Sequence, residues 1–238
     1  MPDLIDDAHL EQTAVVANSA MNRDRRLPAY RRELGFDPVA WLAARPGPQR
    51  WLDVGCGSAL ALFEAAEHLP GNTRITGLDL VGYFRGTPKP GVELVTGSVL
   101  SWSPDSPIDL ITSVHAIHYV GDKLAALTRM SSWLAPDGRL ALNFDATSLR
   151  DANGGPLGRR FSTALRRNGF TYTSRTHRLT RTGHAIPAWS FSYLGADPLA
   201  GPNYTGQEAV SSHYASEGWE FESPRAHFER PPSANSRD

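Results

Sequence analysis

The chain contains a single cysteine, Cys56, so no internal disulfide can form, and no Cys/His group has the spacing of a zinc site. No bound metal is expected. Lysine is nearly missing as well: of 24 basic residues only Lys89 and Lys123 are lysines, a skew that reflects coding-sequence composition more than chemistry. Neither sign of charge dominates, with 24 basic and 25 acidic residues and a net charge of −1, which argues against a general nucleic-acid binder and against an acidic tail protein. No run approaches the ~18 apolar residues needed to span a bilayer. The opening MPDLIDDAHLEQ is acidic and lacks a long apolar stretch, so no signal peptide is expected. These absences predict a soluble, cytoplasmic protein with no membrane partner. Repeats and low-complexity tracts are missing too. What is there is a hydrophobic fraction of 40%, enough for a packed core in one domain of ordinary size.

Residues 9–21 read as a weakly periodic helix. Asp37 followed by Pro38 is a helix start, a side-chain cap and then a residue that needs no N–H in the first turn. Beyond residue 50 short apolar strands alternate with helical segments. Strands are expected at Trp51–Val54, Arg74–Leu78, Val92–Val95, Ile108–Val114 and Leu140–Phe144, the last entered through an Ala135–Gly138 turn. Helices are expected over 58–69, after Asp122, and over Arg159–Asn168. Alternation of this kind implies a parallel sheet, because each right-handed crossover needs a covering helix. Thr171–Thr180 and Ile186–Leu194 flank a turn and predict an antiparallel hairpin at one sheet edge. The fold class expected is α/β, a seven-stranded, mostly parallel sheet with helices on both faces and that C-terminal hairpin. Three units are expected: a helical cap over 1–49, the main domain over 50–222, and a flexible tail over 223–238.

The densest signal is WLDVGCGSA at 51–59. A strand that turns through Gly55-Cys56-Gly57 into a helix lets the backbone approach a ligand closely, with its N–H groups facing the ligand. A dinucleotide fingerprint would need a third glycine at position 60, which is Leu60. Asp79, in GLDL at the end of the second strand, can accept both hydrogen bonds of a ribose diol. Either feature alone is an ordinary turn or capped loop; together, at successive strand ends, they describe a nucleoside site.

With these residues in place, the chain resembles the class I, Rossmann-like S-adenosylmethionine-dependent methyltransferases over about residues 50–145. The resemblance rests on WLDVGCGSA, GLDL, VTGSV (95–99), DLITSVHAIHYV (109–120) and WLAPDGRLAL (133–142). It implies S-adenosyl-L-methionine as cofactor, with Asp53, Gly55, Cys56 and Gly57 around its methionine part and Asp79 on its ribose. It further implies Leu80 against the adenine, Gly97, Ser98 and Val99 at the adenine edge, and Val114 in the pocket. At position 98 the family usually has an acid; Ser98 departs from that, and Val81–Gly91, with two prolines, cannot form the usual crossover helix.

Methyl transfer is chiefly a matter of alignment, with a base needed only for an acceptor that arrives protonated. His115 and His118, just past the fourth strand, are the candidate catalytic residues. Each has a structural alternative, packing above all for His118. Asp145 is a further candidate at the pocket rim, with turn capping as its alternative. The Arg-rich stretch 22–33 reads either as a solvated helix face or as a lid bringing Tyr30 or an arginine to the cofactor or acceptor. The loop 195–204 is a candidate pocket wall. The leading reading is methyl transfer to an O or N atom of a small molecule or short peptide. A nicotinamide-dependent oxidoreductase, a non-catalytic cofactor-binding protein and an RNA methyltransferase are the alternatives, the last opposed by the near-zero net charge.

Overall fold

The computed structural model describes residues 3–17 and 24–216. Five parallel strands, β1 (Arg50–Val54), β2 (Arg74–Asp79), β3 (Val92–Thr96), β4 (Ile108–Ser113) and β5 (Leu134–Asn143), join an antiparallel pair, β7 (Thr171–Thr173) and β8 (Arg178–Thr182). The seven-stranded order is β3-β2-β1-β4-β5-β8-β7. This is the expected α/β class.

Strand alternation sorts side chains to two faces. Trp51, Leu110 and Ala141 pack with α2 (Leu27–Leu34), α3 (Pro38–Ala43) and α4 (Leu60–Ala66). Their chain neighbours Leu52, Ile111 and Leu140 pack with α5 (Lys123–Ser132) and α6 (Gly158–Arg167) on the other face. The helix starts follow local chemistry. The Asp37 carboxylate accepts from the N–H groups of Val39 and Ala40, and that of Asp122 from Ala125. No helix forms over 80–91, in keeping with its prolines; Phe84 instead packs beside the α4 face.

Four expectations need correction. α4 begins at Leu60, two residues late, because Ala59 takes a left-handed φ of 61° as part of the glycine turn. The Ala135–Gly138 turn is absorbed into β5 as a bulge: pairing with β4 jumps from Ile108↔Leu134 to Leu110↔Arg139. The edge hairpin is β7–β8, joined by a 3-10 turn over Ser174–Thr176; the 186–194 stretch does not pair with it. That stretch leads instead into β9 (Phe191–Asp197), which forms a second sheet with β6 (Leu149–Asp151) and β10 (Ser211–Ser216), ordered β6-β10-β9. Of the expected 9–21 helix, the described part forms α1 (Asp7–Leu10) and then turns through residue 17; residues 18–21 lie outside the described residues. The tail expected over 223–238 lies outside the described residues.

The second sheet anchors the N-terminal segment. Ile5 and Ala196 exchange two backbone hydrogen bonds of 2.9 Å, and Leu10 is fully buried against Ala196 and Val210. Asp7 accepts from the Asp122 N–H and the Tyr193 hydroxyl, each at 3.0 Å. No described helix is long and apolar enough to cross a membrane.

Candidate active site

Ligands in open α/β sheets bind beyond the carboxyl ends of the strands, where the strand order reverses. Here β1 is flanked by β2 on one side and β4 on the other, and a cleft opens there. The strand ends supply Gly55, Asp79, Leu80, the 97–99 loop, His115 and Ala116. The N-terminal segment closes it with Glu11, Val15, Val16 and Arg25.

Of the residues singled out from sequence, Gly55, Asp79, Leu80, Gly97, Ser98, Val99 and His115 line the cavity. Tyr30, Asp53, Cys56, Gly57, Val114 and His118 stand behind it. The glycine turn also behaves differently from expectation. Its N–H groups are spent within the protein: Gly55 and Cys56 donate to the Leu78 carbonyl at 2.7 and 3.2 Å, and Gly57 donates to the Asp79 carboxylate at 2.9 Å. The β1–β2 connection simply runs on past the strand ends, so these amides are not offered to a ligand. What the turn provides is closeness. Gly55 has φ 70°, and a Cβ there would overlap the Cβ of Ala116.

Asp79 is buried to 8% exposure, with one oxygen accepting from Gly57 at 2.9 Å and the other from Val81 at 3.0 Å and, more weakly, from Gly82 at 3.4 Å. A carboxylate offers about four acceptor positions, so one stays open and the long Gly82 contact is the one that a diol can displace. Asp53, by contrast, is wholly buried. Its two oxygens accept from the Tyr30 and Thr112 hydroxyls, each at 2.5 Å, while Trp51 Nε1 donates to Thr112 at 2.8 Å. Burial, seconded by the neighbouring negative charge of Asp79, pushes its pKa up to about 7 against those two hydrogen bonds. Asp53 and Tyr30 therefore lock α2 onto β1. Tyr30 is turned inward to that lock and does not line the cavity, contrary to the lid reading. The Cys56 side chain packs over Gly77 of β2, and burial raises its thiol pKa.

The arginine-rich stretch divides. Arg26 pairs with Glu64 at 2.5 Å, Arg31 with Asp37 at 2.8 Å and Arg32 with Glu33 at 2.9 Å, while Arg25 lines the cavity. Most of its described charge is thus neutralised locally and forms no basic surface.

Beside the cavity, beyond β4, lies an aromatic cluster. His115 takes a left-handed φ of 60°, a conformation that concentrates at functional sites when the residue is not glycine. Its Nε2 lies 3.3 Å from the Glu33 carboxylate of α2 and its Nδ1 3.2 Å from the Tyr204 hydroxyl. Tyr204 also stacks on His177, with centroids 3.7 Å apart, and meets His118 edge-on at 5.3 Å. The candidate wall at 195–204 thus contributes its last residue. His118 is 1% exposed and its Nε2 has no hydrogen-bond partner among the described residues. Asp145 is buried and caps the turn after β5, accepting from the Thr147 N–H at 2.9 Å.

Burial first, then the nearby His115 and Lys123, lowers the pKa of His118 to about 3. In the unfolded chain a histidine titrates near 6.5. The unfolded state therefore binds the extra proton between these values. This contribution is complete above about pH 6.5 and is lost as the pH falls towards 3. His118→Leu is expected to flatten the acid side of the stability curve, measured as urea midpoints from pH 4 to 7. An unchanged acid slope would refute it.

No group of metal-ligating side chains is present among the described residues. The sheet order, the antiparallel edge and a cleft over an acid at the end of β2 define a Rossmann-like class. A family model described as a methyltransferase domain matches residues 22–178, about two thirds of the chain. The chain belongs to this family, the class I S-adenosylmethionine-dependent methyltransferases, whose cofactor is S-adenosyl-L-methionine. It is 30% identical over 175 residues to a trans-aconitate 2-methyltransferase of Streptomyces avermitilis, covering 64% of this chain and 65% of that protein. It is 28% identical over 166 residues to the enzyme of that name from Streptomyces coelicolor, covering 62% and 54%. The chain thus spans less than two thirds of either relative. Among solved structures it is similar to a SAM-bound amino pentose methyltransferase from Micromonospora echinaspora, with 28% identity, TM-score 0.39 and coverage of 52% and 53%. It is also similar to a plantazolicin methyltransferase, with 16% identity, TM-score 0.44 and coverage of 57% and 59%.

Proposed function

We propose that the chain transfers a methyl group from S-adenosyl-L-methionine to an oxygen or nitrogen atom of a small molecule. The observation that carries this reading is the cavity over β1, β2 and β3 with Asp79 facing the position of a ribose. The residues present fit the cofactor: a buried carboxylate with acceptor capacity left for the diol, a bare glycine at β1, and apolar walls from Val15, Val16, Leu80 and Val99 for a base. The bound cofactor supplies a methyl group already activated on a sulfonium. The chain's own contribution is to hold the partners in line and exclude water, an effect of about 7–11 kcal/mol when alignment is good.

Residues 1–49 act in this reading as a cap on the domain of 50–222, supported by the four cavity-lining residues of the N-terminal segment. The acceptor side is the His115, His118 and Tyr204 cluster. His115 is the residue best placed to act on the acceptor, lining the cavity with Glu33 fixing its ring. His118, held neutral and buried, supports it by packing. The names of the curated relatives favour a small organic acid as the first acceptor to assay.

The test has two parts. Titration calorimetry should show saturable binding of S-adenosylhomocysteine, and a deuterated-methyl cofactor incubated with small acids and a cell extract should label a low-mass product. Failure of the folded protein to bind the cofactor refutes the proposal. His115→Ala is expected to lower kcat by about 10²–10⁴-fold if the acceptor arrives protonated. For an acceptor that is already a carboxylate, the loss should fall mainly on KM. In both cases cofactor affinity should change little.

A further inference from the structure

We infer that Glu11, from the N-terminal segment, reads the six-position amine of the cofactor's purine. This rests on the cofactor reading above. The strand order β3-β2-β1 places the ends of these three strands side by side. With its ribose at Asp79 on β2 and its amino-acid end towards Gly55 on β1, its base extends over the end of β3, where Gly97, Ser98 and Val99 form the wall. The lining is apolar at Val15, Val16 and Leu80 and polar at Glu11, Arg25 and Ser98. A purine amine buried there without an acceptor would lose its hydrogen bonds to water and gain none.

Ser98 supplies only a weak acceptor, a neutral hydroxyl with one lone pair left. Its hydroxyl oxygen already accepts from the Leu100 N–H at 3.0 Å, and its proton is donated to the Glu11 carboxylate. Glu11 brings the missing charge. It lines the cavity, and the Ser98 bond uses only part of a carboxylate's acceptor capacity. Its position is set by the residues just before it. Asp6 caps α1 by accepting from the His9 N–H at 2.8 Å, Asp7 is bonded to Asp122 and Tyr193, and Leu10 is buried in the second sheet. A carboxylate held this way attracts a purine amine and repels a purine carbonyl, which gives discrimination through both an attractive and a repulsive contact.

Glu11 is therefore a specificity-determining residue for the adenine base, acting from a segment 87 residues away in sequence from the serine it contacts. The experiment compares S-adenosylhomocysteine with S-inosylhomocysteine, in which a carbonyl replaces the amine, by titration calorimetry on the full chain. Wild-type protein should favour the adenosyl compound by at least about 10-fold. Glu11→Gln, which keeps shape and the Ser98 contact but loses the charge, should reduce that preference severalfold. Glu11→Ala should remove most of it. If Glu11 only latches the segment to Ser98, then Glu11→Ala and Ser98→Ala will weaken both compounds equally and leave the ratio unchanged, which overturns the inference. Equal binding of both compounds by the wild type also overturns it while leaving the cofactor reading intact. Binding of neither overturns both.

Discussion

Asp79→Ala is expected to weaken binding of S-adenosylhomocysteine by at least about 100-fold, because two charge-assisted hydrogen bonds to a diol are lost in a buried site. Part of the loss arises inside the protein. The same carboxylate holds the N–H groups of Gly57, Val81 and Gly82, so removing it leaves three backbone donors of these turns without their acceptor. Asp79→Asn is intermediate: its amide oxygen can still accept from Gly57, but its NH2 then faces the Val81 N–H donor to donor, so affinity should fall by at least about 10-fold with a melting temperature between those of the wild type and Asp79→Ala. Calorimetric titration beside thermal unfolding checks both variants. An Asp79→Ala protein that keeps the wild-type fold and the wild-type affinity would remove the ribose from this strand end.

The second large effect is on stability. Asp53→Ala should cost about 2–5 kcal/mol in urea unfolding, since it leaves the Tyr30 and Thr112 hydroxyls buried without acceptors and opens a void between α2 and β1. Asp53→Asn should be far milder, because the Tyr30 hydroxyl can turn to accept from the new amide. The pH dependence follows from the raised pKa. The folded protein holds this proton up to about pH 7, whereas the unfolded chain releases it near 3.8. The stability that Asp53 contributes is therefore complete below about 3.8 and is lost as the pH rises through about 7. The wild type should lose ground to Asp53→Asn between pH 4 and pH 8. Parallel curves for the two proteins would show that burial of Asp53 does not govern its ionisation.

Both aspartates were legible in the sequence, but their division of labour was not. WLDVGCGSA and GLDL placed each at a strand end. Nothing in the spacing said that Asp53 faces Tyr30 and Thr112 while Asp79 faces the cavity. That outcome depends on α2 packing against the same face of β1 on which Asp53 falls, two residues beyond Trp51. The turn amides depart from the sequence expectation for a related reason. A Gly-x-Gly turn frees the backbone to approach a ligand, but the adjacent β2 supplies acceptors that claim those N–H groups first. The departure at Ser98 was also readable, as a missing acid, without any hint of where a replacement would come from. Glu11 is an unremarkable residue of an acidic leader segment until the second sheet fixes that segment in place.

The sequence by itself determined the parallel sheet, its helix caps at Asp37 and Asp122, the absent crossover helix before β3 and the carboxylate at the end of β2. These follow from periodicity, proline geometry and capping, which act within a few residues along the chain. Only the tertiary structure decided that β9 leaves the main sheet to pair with β10, that Ile5 and Leu10 dock on it, and that Glu11 thereby meets Ser98. Those outcomes join residues tens to nearly two hundred positions apart. Pairing at such distances is chosen by which surfaces remain to be covered once the local elements have formed, and no local pattern encodes that choice.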